Sequence, residues 1–272
     1  MTLAEPRVVQ APQPRRFGAA NWIGLWTLYL REVRRFLKVA AQTVTGPVVT
    51  TLLFLAVFAV ALAKRAPTAG GVPYLEFLAS GLIMMTIAQN AFANSSSSLL
   101  IAKIQGNIAD FLMAPLSPAE LMAGFALGAL TRGVLVGAAV ALATWPFVLL
   151  RIVAPGFVAF HAVAASLLLA LLGVVAGLWA QKMDHLAAVT NFVVAPLTFL
   201  SGTFYSIDDL PEDLRAVAWV NPFFYMIDGF RYGLTGHADG SLAAGIAVIA
   251  GANAALAIGC HRMIASGWRL KP

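Results

Sequence analysis

Six stretches of this chain are each apolar over about the length needed to cross a bilayer, and that limits its fold more than any other feature. A helix crossing the ~30 Å hydrocarbon core needs roughly 20 mainly apolar residues. The stretches are 43–63, 77–94, a longer one from 119 to 150, then 157–180, 186–205 and 242–264. Of the 272 residues 60% are hydrophobic and 11% charged, whereas soluble domains carry about 25% charged residues. Too few charges remain to clothe a surface facing water. The same figures exclude a disordered chain and a disulfide scaffold, and the lone Cys260 reads as a small packed hydrophobe. The expectation is an all-α integral membrane protein with six transmembrane helices within residues 41–264.

The third stretch contains Arg132 and is longer than one span requires. A span over 133–150 would place Arg132 and Arg151 at the two interfaces and spare the bilayer centre a charge. A span over 119–142 would hold Arg132 at mid-depth, which would make it a functional residue. The flanking register is the less costly of the two. With six spans both termini share a side. That side carries twelve Lys and Arg and the other only five, so both termini are expected to be cytoplasmic. This bias accounts for the net charge of +6 without any nucleic-acid partner. Residues 1–20 have no apolar core of a signal peptide and read as a disordered cytoplasmic tail; residues 265–272 read as a cytoplasmic C-terminal tail.

Three segments outside the spans carry more pattern than a connection needs. Residues 21–40 form an amphipathic helix, with Trp22, Trp26, Tyr29, Val33, Phe36 and Leu37 on one sector and Arg31, Arg34, Arg35 and Lys38 opposite. Such a helix lies at the headgroup level of the membrane. In the link between spans two and three, Ile101, Ile104, Ile108, Phe111 and Leu112 share a helical face and Lys103, Asn107 and Asp110 the other, with Pro115 and Pro118 ending it. Residues 206–237 carry seven charges, too many for a span, and read as two short helices, 210–220 and 223–234, broken at Asn221-Pro222. Asp228 and Arg231 are spaced to pair, which suits a re-entrant or interfacial hairpin.

Catalytic motifs are missing. The sequence has no Gly-x4-Gly-Lys-Ser/Thr, no His-Glu-x-x-His and no Gly-x-Ser-x-Gly, so neither nucleotide hydrolysis nor zinc nor serine chemistry is expected of the chain. The polar residues expected within the spans are mostly neutral, among them Gln89, Asn90, Asn94 and Thr198. Three Gly-x-x-x-Gly pairs, Gly124/Gly128, Gly133/Gly137 and Gly173/Gly177, permit close helix contacts.

An amphipathic basic helix before six spans, NIADFLMAPLSP at 107–118, SGTFY at 201–205 and NPFFYMIDGFRYG at 221–233 together resemble the permease subunit of type-2 ATP-binding-cassette exporters, most closely the YadH-like branch. The resemblance covers about residues 25–265. It implies an interface helix at 22–39 and a coupling helix at 103–112 that docks into an ATPase. It also implies outer re-entrant helices at 210–234, including Asn221, Pro222, Tyr225, Asp228 and Arg231. Two permeases would pack side by side in the bacterial inner membrane over two ATPase subunits, which would hold ATP and Mg; no cofactor would be bound by this chain.

On that footing the coupling residues are Lys103, Gln105, Asn107, Asp110 and Phe111, with Glu32 and Arg35 nearby. The path for an outward-moving amphiphile (a lipid, lipid-linked glycan, polysaccharide or drug) would involve Phe54, Phe58, Met84, Gln89, Asn90, Thr198, Phe199 and Tyr205. The competing expectation is an ion-coupled transporter or channel that works without an ATPase, with Arg132 buried beside an acid.

Overall fold

The computed structural model describes residues 18, 20–62, 68–69 and 71–270. Nearly all of the expected N-terminal tail lies outside them. The chain begins with α1 (Trp22–Leu37) and α2 (Ala40–Leu62). A two-residue hairpin, Thr68–Ala69 paired with Val72–Pro73, turns at Gly71, whose positive φ of 75° suits a residue without Cβ. Then come α3 (Tyr74–Ile104), α4 (Ile108–Met113), α5 (Pro118–Thr144) and α6 (Pro155–Trp179). The rest is α7 (Met183–Val189), a π turn (Thr190–Val194), α8 (Ala195–Phe199), α9 (Glu212–Val220), α10 (Pro222–Thr235) and α11 (Leu242–Ala265).

Five helices, α2, α3, α5, α6 and α11, are long and apolar enough to cross a membrane. The sixth apolar stretch, 186–205, forms a broken rod of α7, the π turn and α8. Pro196 explains the break. It lacks an amide proton and its ring crowds the carbonyl four residues back, at Phe192, so the helix widens by one residue there.

The register of α5 corrects the sequence expectation. Ser117 caps its start in a capping box with Glu120, and Pro118 occupies the first turn. Pro146 follows its last turns, and the helix ends at Thr144. The helix is therefore 118–144, not 133–150, and Arg132 falls near its middle.

Helix α3 lies at the centre, mostly buried, between α5, α6 and α10. The glycine pairs make this possible. A methyl group at Gly124 or Gly128 would collide with Leu28 or Glu32 of α1, at Gly133 or Gly137 with Ile87 of α3, and at Gly173 or Gly177 with Phe92, Ser95, Ser96 or Leu99 of α3. Two helices, α1 and α3, thus approach α5 and α6 at backbone distance, where dispersion contacts are densest. By contrast α2 and α11 are mostly exposed, with Val49, Leu53, Val57 and Val60 of α2 facing outward.

Candidate functional site

At one end of the bundle α4 is clamped by its neighbours. Ile108 and Phe111 are buried, Phe111 packs on Phe125 of α5 at 5.3 Å between ring centroids, and the Arg31 guanidinium carbon lies 4.3 Å from the Phe111 centroid. Asn21, which caps α1, donates its side-chain amide to Pro115 O at 2.9 Å, and its backbone amide bonds Glu120. Lys103 Nζ donates to the carbonyls of Gly177, Leu178 and Ala180 at 3.3, 2.7 and 2.6 Å. Those are carbonyls at the C-terminus of α6, where a cation also meets the negative end of the helix dipole. Arg269 donates to Trp179 O at the same place. Hence α4 is tied to α1 and α5, and α3 to α6, at this end, and the far side of α4 stays open. That open surface carries Gln105, Asn107 and Asp110 with three large apolar side chains, Ile104, Leu112 and Met113, the last 77% exposed.

From this end a ladder of polar groups climbs α3. Ser98, Asn94, Asn90 and Thr86 follow one another four residues apart, so they stack on one face about 6 Å apart. Each meets a different partner. Ser98 donates to Glu32 Oε1 at 2.8 Å, and Asn94 accepts through its backbone and side-chain oxygens from Arg35 Nη2, both at 2.8 Å. Asn90 Oδ1 accepts from Arg132 Nη2 at 3.3 Å, and the Thr86 hydroxyl meets that of Thr51 at 3.5 Å. Glu32 is fully buried and also pairs with Arg31 and Arg35 at 3.3 Å. Beside the upper rungs a cleft of about 190 Å³ opens between α2 and α3, lined by Thr51, Phe54, Met85, Thr86, Gln89 and Asn90 among others.

Higher still, three rings gather around Phe204. Phe54, Phe58 and Phe199 lie 5.9, 5.3 and 5.4 Å from it between centroids. The loop bearing Phe204 is fixed at the opposite end of the bundle. Tyr74 donates to Phe204 O at 3.2 Å, and Thr203 to Thr198 O at 2.9 Å. Asn221 caps α10 by accepting from Phe223 N, and its amide reaches Leu197 O and Ser201. Tyr225 donates to Trp219 O. Arg231, fully buried, bonds Gly202 O and Ser80, with its guanidinium carbon 3.5 Å from the Phe77 ring centroid. A cavity of about 600 Å³ lies alongside, lined by Tyr205 with Leu197, Leu200 and Pro222.

Comparison with known proteins decides what kind of machine these parts belong to. The ABC-2 type transporter family matches residues 24–235, which take in α1, the α4 clamp, the ladder and α10. The chain belongs to the ABC-2 type transporter family. It is 35% identical to the inner membrane transport permease YadH of Escherichia coli strain K12, over 92% of this chain and 98% of that one. It is also 25% identical to nodulation protein J of Rhizobium leguminosarum bv. trifolii, over 81% of this chain and 83% of the relative. Nodulation protein J of Sinorhizobium fredii is 21% identical over 84% and 87% of the two chains.

Placing the sequence-derived residues on this ABC-2 fold divides them. Gln105 and Asn107, just before α4, and Asp110 on it are exposed, while Phe111 faces inward as its anchor and Lys103, in the last turn of α3, bonds the end of α6. Glu32 and Arg35 are rungs of the ladder, and Glu32 has no surface to offer a partner. The protein-facing row of α1 is Leu28, Glu32 and Phe36, whereas Trp22 and Trp26 stay exposed; of the apolar sector Phe36 alone is buried. Phe54, Gln89 and Asn90 line the α2–α3 cleft, Phe58 and Phe199 join the Phe204 cluster, and Thr198 is buried with its hydroxyl on Val194 O. Met84 is fully buried and its neighbour Met85 lines the cleft instead.

Asp228 and Arg231 do not pair. Asp228 accepts from the backbone amides of Asp239 and Gly240, at 2.8 and 3.0 Å. Sequence reasoning also missed Met113 and Phe204. The four-residue recurrence of polar residues along 86–98 was the signal that could have revealed the ladder.

Proposed function

We propose that this chain is the membrane half of an exporter in the inner membrane, paired with a second copy of itself and driven by two separate ATPase subunits that bind ATP and Mg. One observation carries the reading. The exposed face of α4 mixes apolar and polar side chains, and α4 is held to α1 and α5 through Phe111, while Asn21 ties the start of α1 to Pro115 just beyond it. A surface suited to docking is thereby wired to the helices that surround the central α3. The sequence holds no nucleotide cradle of its own, in keeping with an ATPase supplied from outside.

In this reading α4 is the coupling helix, α1 the interface helix, and the α4 end faces the cytoplasm along with both termini. The rod of α7, the π turn and α8 crosses the membrane as a sixth span, and α9 and α10 form the outer re-entrant pair. Closure of the ATPases on ATP displaces α4, and the displacement reaches α1 through Arg31 and Phe111 and the ladder through Glu32 and Arg35. ATP moves such an equilibrium because it binds one state better than the other. The exposed face of α2 and the α7–α8 rod pack against the second copy. The cargo is an amphiphile, handled by the polar cleft at Gln89 and Asn90 and the rings around Phe204. An ion-coupled carrier would want a free carboxylate beside Arg132, but both Glu32 oxygens are engaged by Arg31, Arg35 and Ser98.

Native mass spectrometry of the tagged chain, released gently from its host membranes, tests this. Two copies of 28.7 kDa together with two copies of a Walker-motif ATPase are expected. A chain that emerges without an ATPase even with an ATP analogue present would overturn the proposal.

A further inference from the structure

The Arg132 guanidinium is a positive charge near the middle of a helix long and apolar enough to cross the membrane. Among the described residues its one hydrogen-bond partner is the neutral Asn90 amide, its Nε is buried without a partner, and no carboxylate lies within ion-pair distance. One rung away on α3, Asn94 holds Arg35. The cluster thus contains three guanidinium groups, those of Arg31, Arg35 and Arg132, against a single carboxylate, Glu32, which Arg31, Arg35 and Ser98 already share. A guanidinium buried without a carboxylate partner is costly, and within this cluster positive charge is in excess.

Immediately beside Asn90 lies the α2–α3 cleft of about 190 Å³. Its polar wall is Thr51, Thr86, Gln89 and Asn90, and its apolar wall includes Phe54 and Met85. Phe54 leads from it to the ring cluster.

We infer that Arg132, with Arg35 one rung away, is a receptor for the oxyanion of an amphiphile, phosphate being the chemistry it fits. A guanidinium presents a planar fork of donors that matches phosphate oxygens in pairs. The Asn90 bond holds the fork in place while leaving its charge uncompensated. The cleft is large enough for a headgroup and too small for a whole lipid, so the apolar tail extends toward Phe54 or into the bilayer. This deepens the transport reading, and rests on it only in taking the anion to be cargo.

The test uses the full-length chain in a nonionic detergent and reads binding by native mass spectrometry. The probes are dihexanoyl phosphatidic acid, dihexanoyl phosphatidylcholine, whose choline covers the phosphate charge, and inorganic phosphate. Wild type is expected to bind phosphatidic acid at least about tenfold more tightly than phosphatidylcholine, and Arg132→Gln to lose that preference. Asn90→Asp guards against a misfolded Arg132 variant. It keeps the arginine but supplies an internal carboxylate at the Asn90 position, so it too is expected to lose the preference while staying folded.

Competition by inorganic phosphate would show that the oxyanion alone suffices. Phosphatidic acid binding that survives excess phosphate would show that the tail is needed. Either result supports the site. Equal binding of the two lipids by wild type, or an undiminished preference in Asn90→Asp, would overturn it. No ATPase is required for this measurement, so failure of the complex to form in the host would leave the anion site standing, and failure here would leave the permease assignment standing.

Discussion

Asp228 and Arg231 stand three residues apart on α10, yet each bonds a different part of the chain. Asp228 closes the turn before α11 by accepting from Asp239 and Gly240, whereas Arg231 reaches across to Gly202, Ser80 and the Phe77 ring. Opposite charges at this spacing on an isolated helix attract weakly, by about 0.2–0.5 kcal/mol. Buried backbone groups left without partners cost more, about 1–3 kcal/mol each. The two amides of the turn and the Gly202 carbonyl therefore win the two side chains.

A double-mutant cycle on Asp228→Asn and Arg231→Gln checks this relationship. Each single change should lower the stability of the detergent-solubilised chain, and the coupling between them should stay below about 1 kcal/mol. Breaking a directly paired buried bridge costs about 3–5 kcal/mol, so a coupling of that size would show that the two side chains pair after all. Arg231→Lys should not restore stability, because an ammonium cannot present the guanidinium fork to Gly202 and Ser80 while lying flat on Phe77.

Among the described residues Glu32 is the only counter-charge for Arg31 and Arg35. Glu32→Gln keeps an acceptor for Ser98 but strands two cations, and should cost about 3 kcal/mol. Ser98→Ala removes one hydrogen bond and should cost nearer 1 kcal/mol. Thermal unfolding of the purified chain ranks the two, and a reversed order would mean that Glu32 matters as a packing group rather than as a charge.

On α4 the two faces should separate two kinds of defect. Asp110→Lys and Met113→Asp alter the exposed surface and are expected to weaken association with the ATPase by about tenfold or more, read as loss of co-purified subunit. Phe111→Ala cuts the anchor to Arg31 and Phe125 and should leave association largely intact while ATP turnover no longer drives transport. If Phe111→Ala transports normally, the Arg31–Phe111 contact is not part of the linkage.

Phe204 joins rings from α2 and α8. Phe204→Ala should destabilise the chain by about 2–3 kcal/mol, as expected for a partly buried ring, and slow transport without loss of the ATPase. Transport assays in vesicles alongside thermal melts distinguish this from a purely structural loss, in which both would recover together with Phe204→Leu.

Much of the architecture was legible in the residues. Hydrophobic length located five membrane-length helices and the broken sixth stretch, since burying backbone in lipid forces each apolar run of that length into a helix. The glycine pairs marked where helices touch, because only a missing Cβ allows backbones so close. Local signals also held the true limits of α5, in the Ser117–Glu120 capping box and Pro146, although the cost of a central arginine argued for the other register.

Tertiary structure alone decided where the charges go. The amphipathic pattern of α1 places Arg35 on its polar face, but Glu32 and Arg35 find their partners Ser98 and Asn94 more than fifty residues away, and Lys103 finds its carbonyls at Gly177, Leu178 and Ala180. Periodicity describes one helix and its own neighbours in sequence. A buried charge instead takes whichever polar group the packing of distant helices brings within about 3 Å, and that choice exists only once those helices have met.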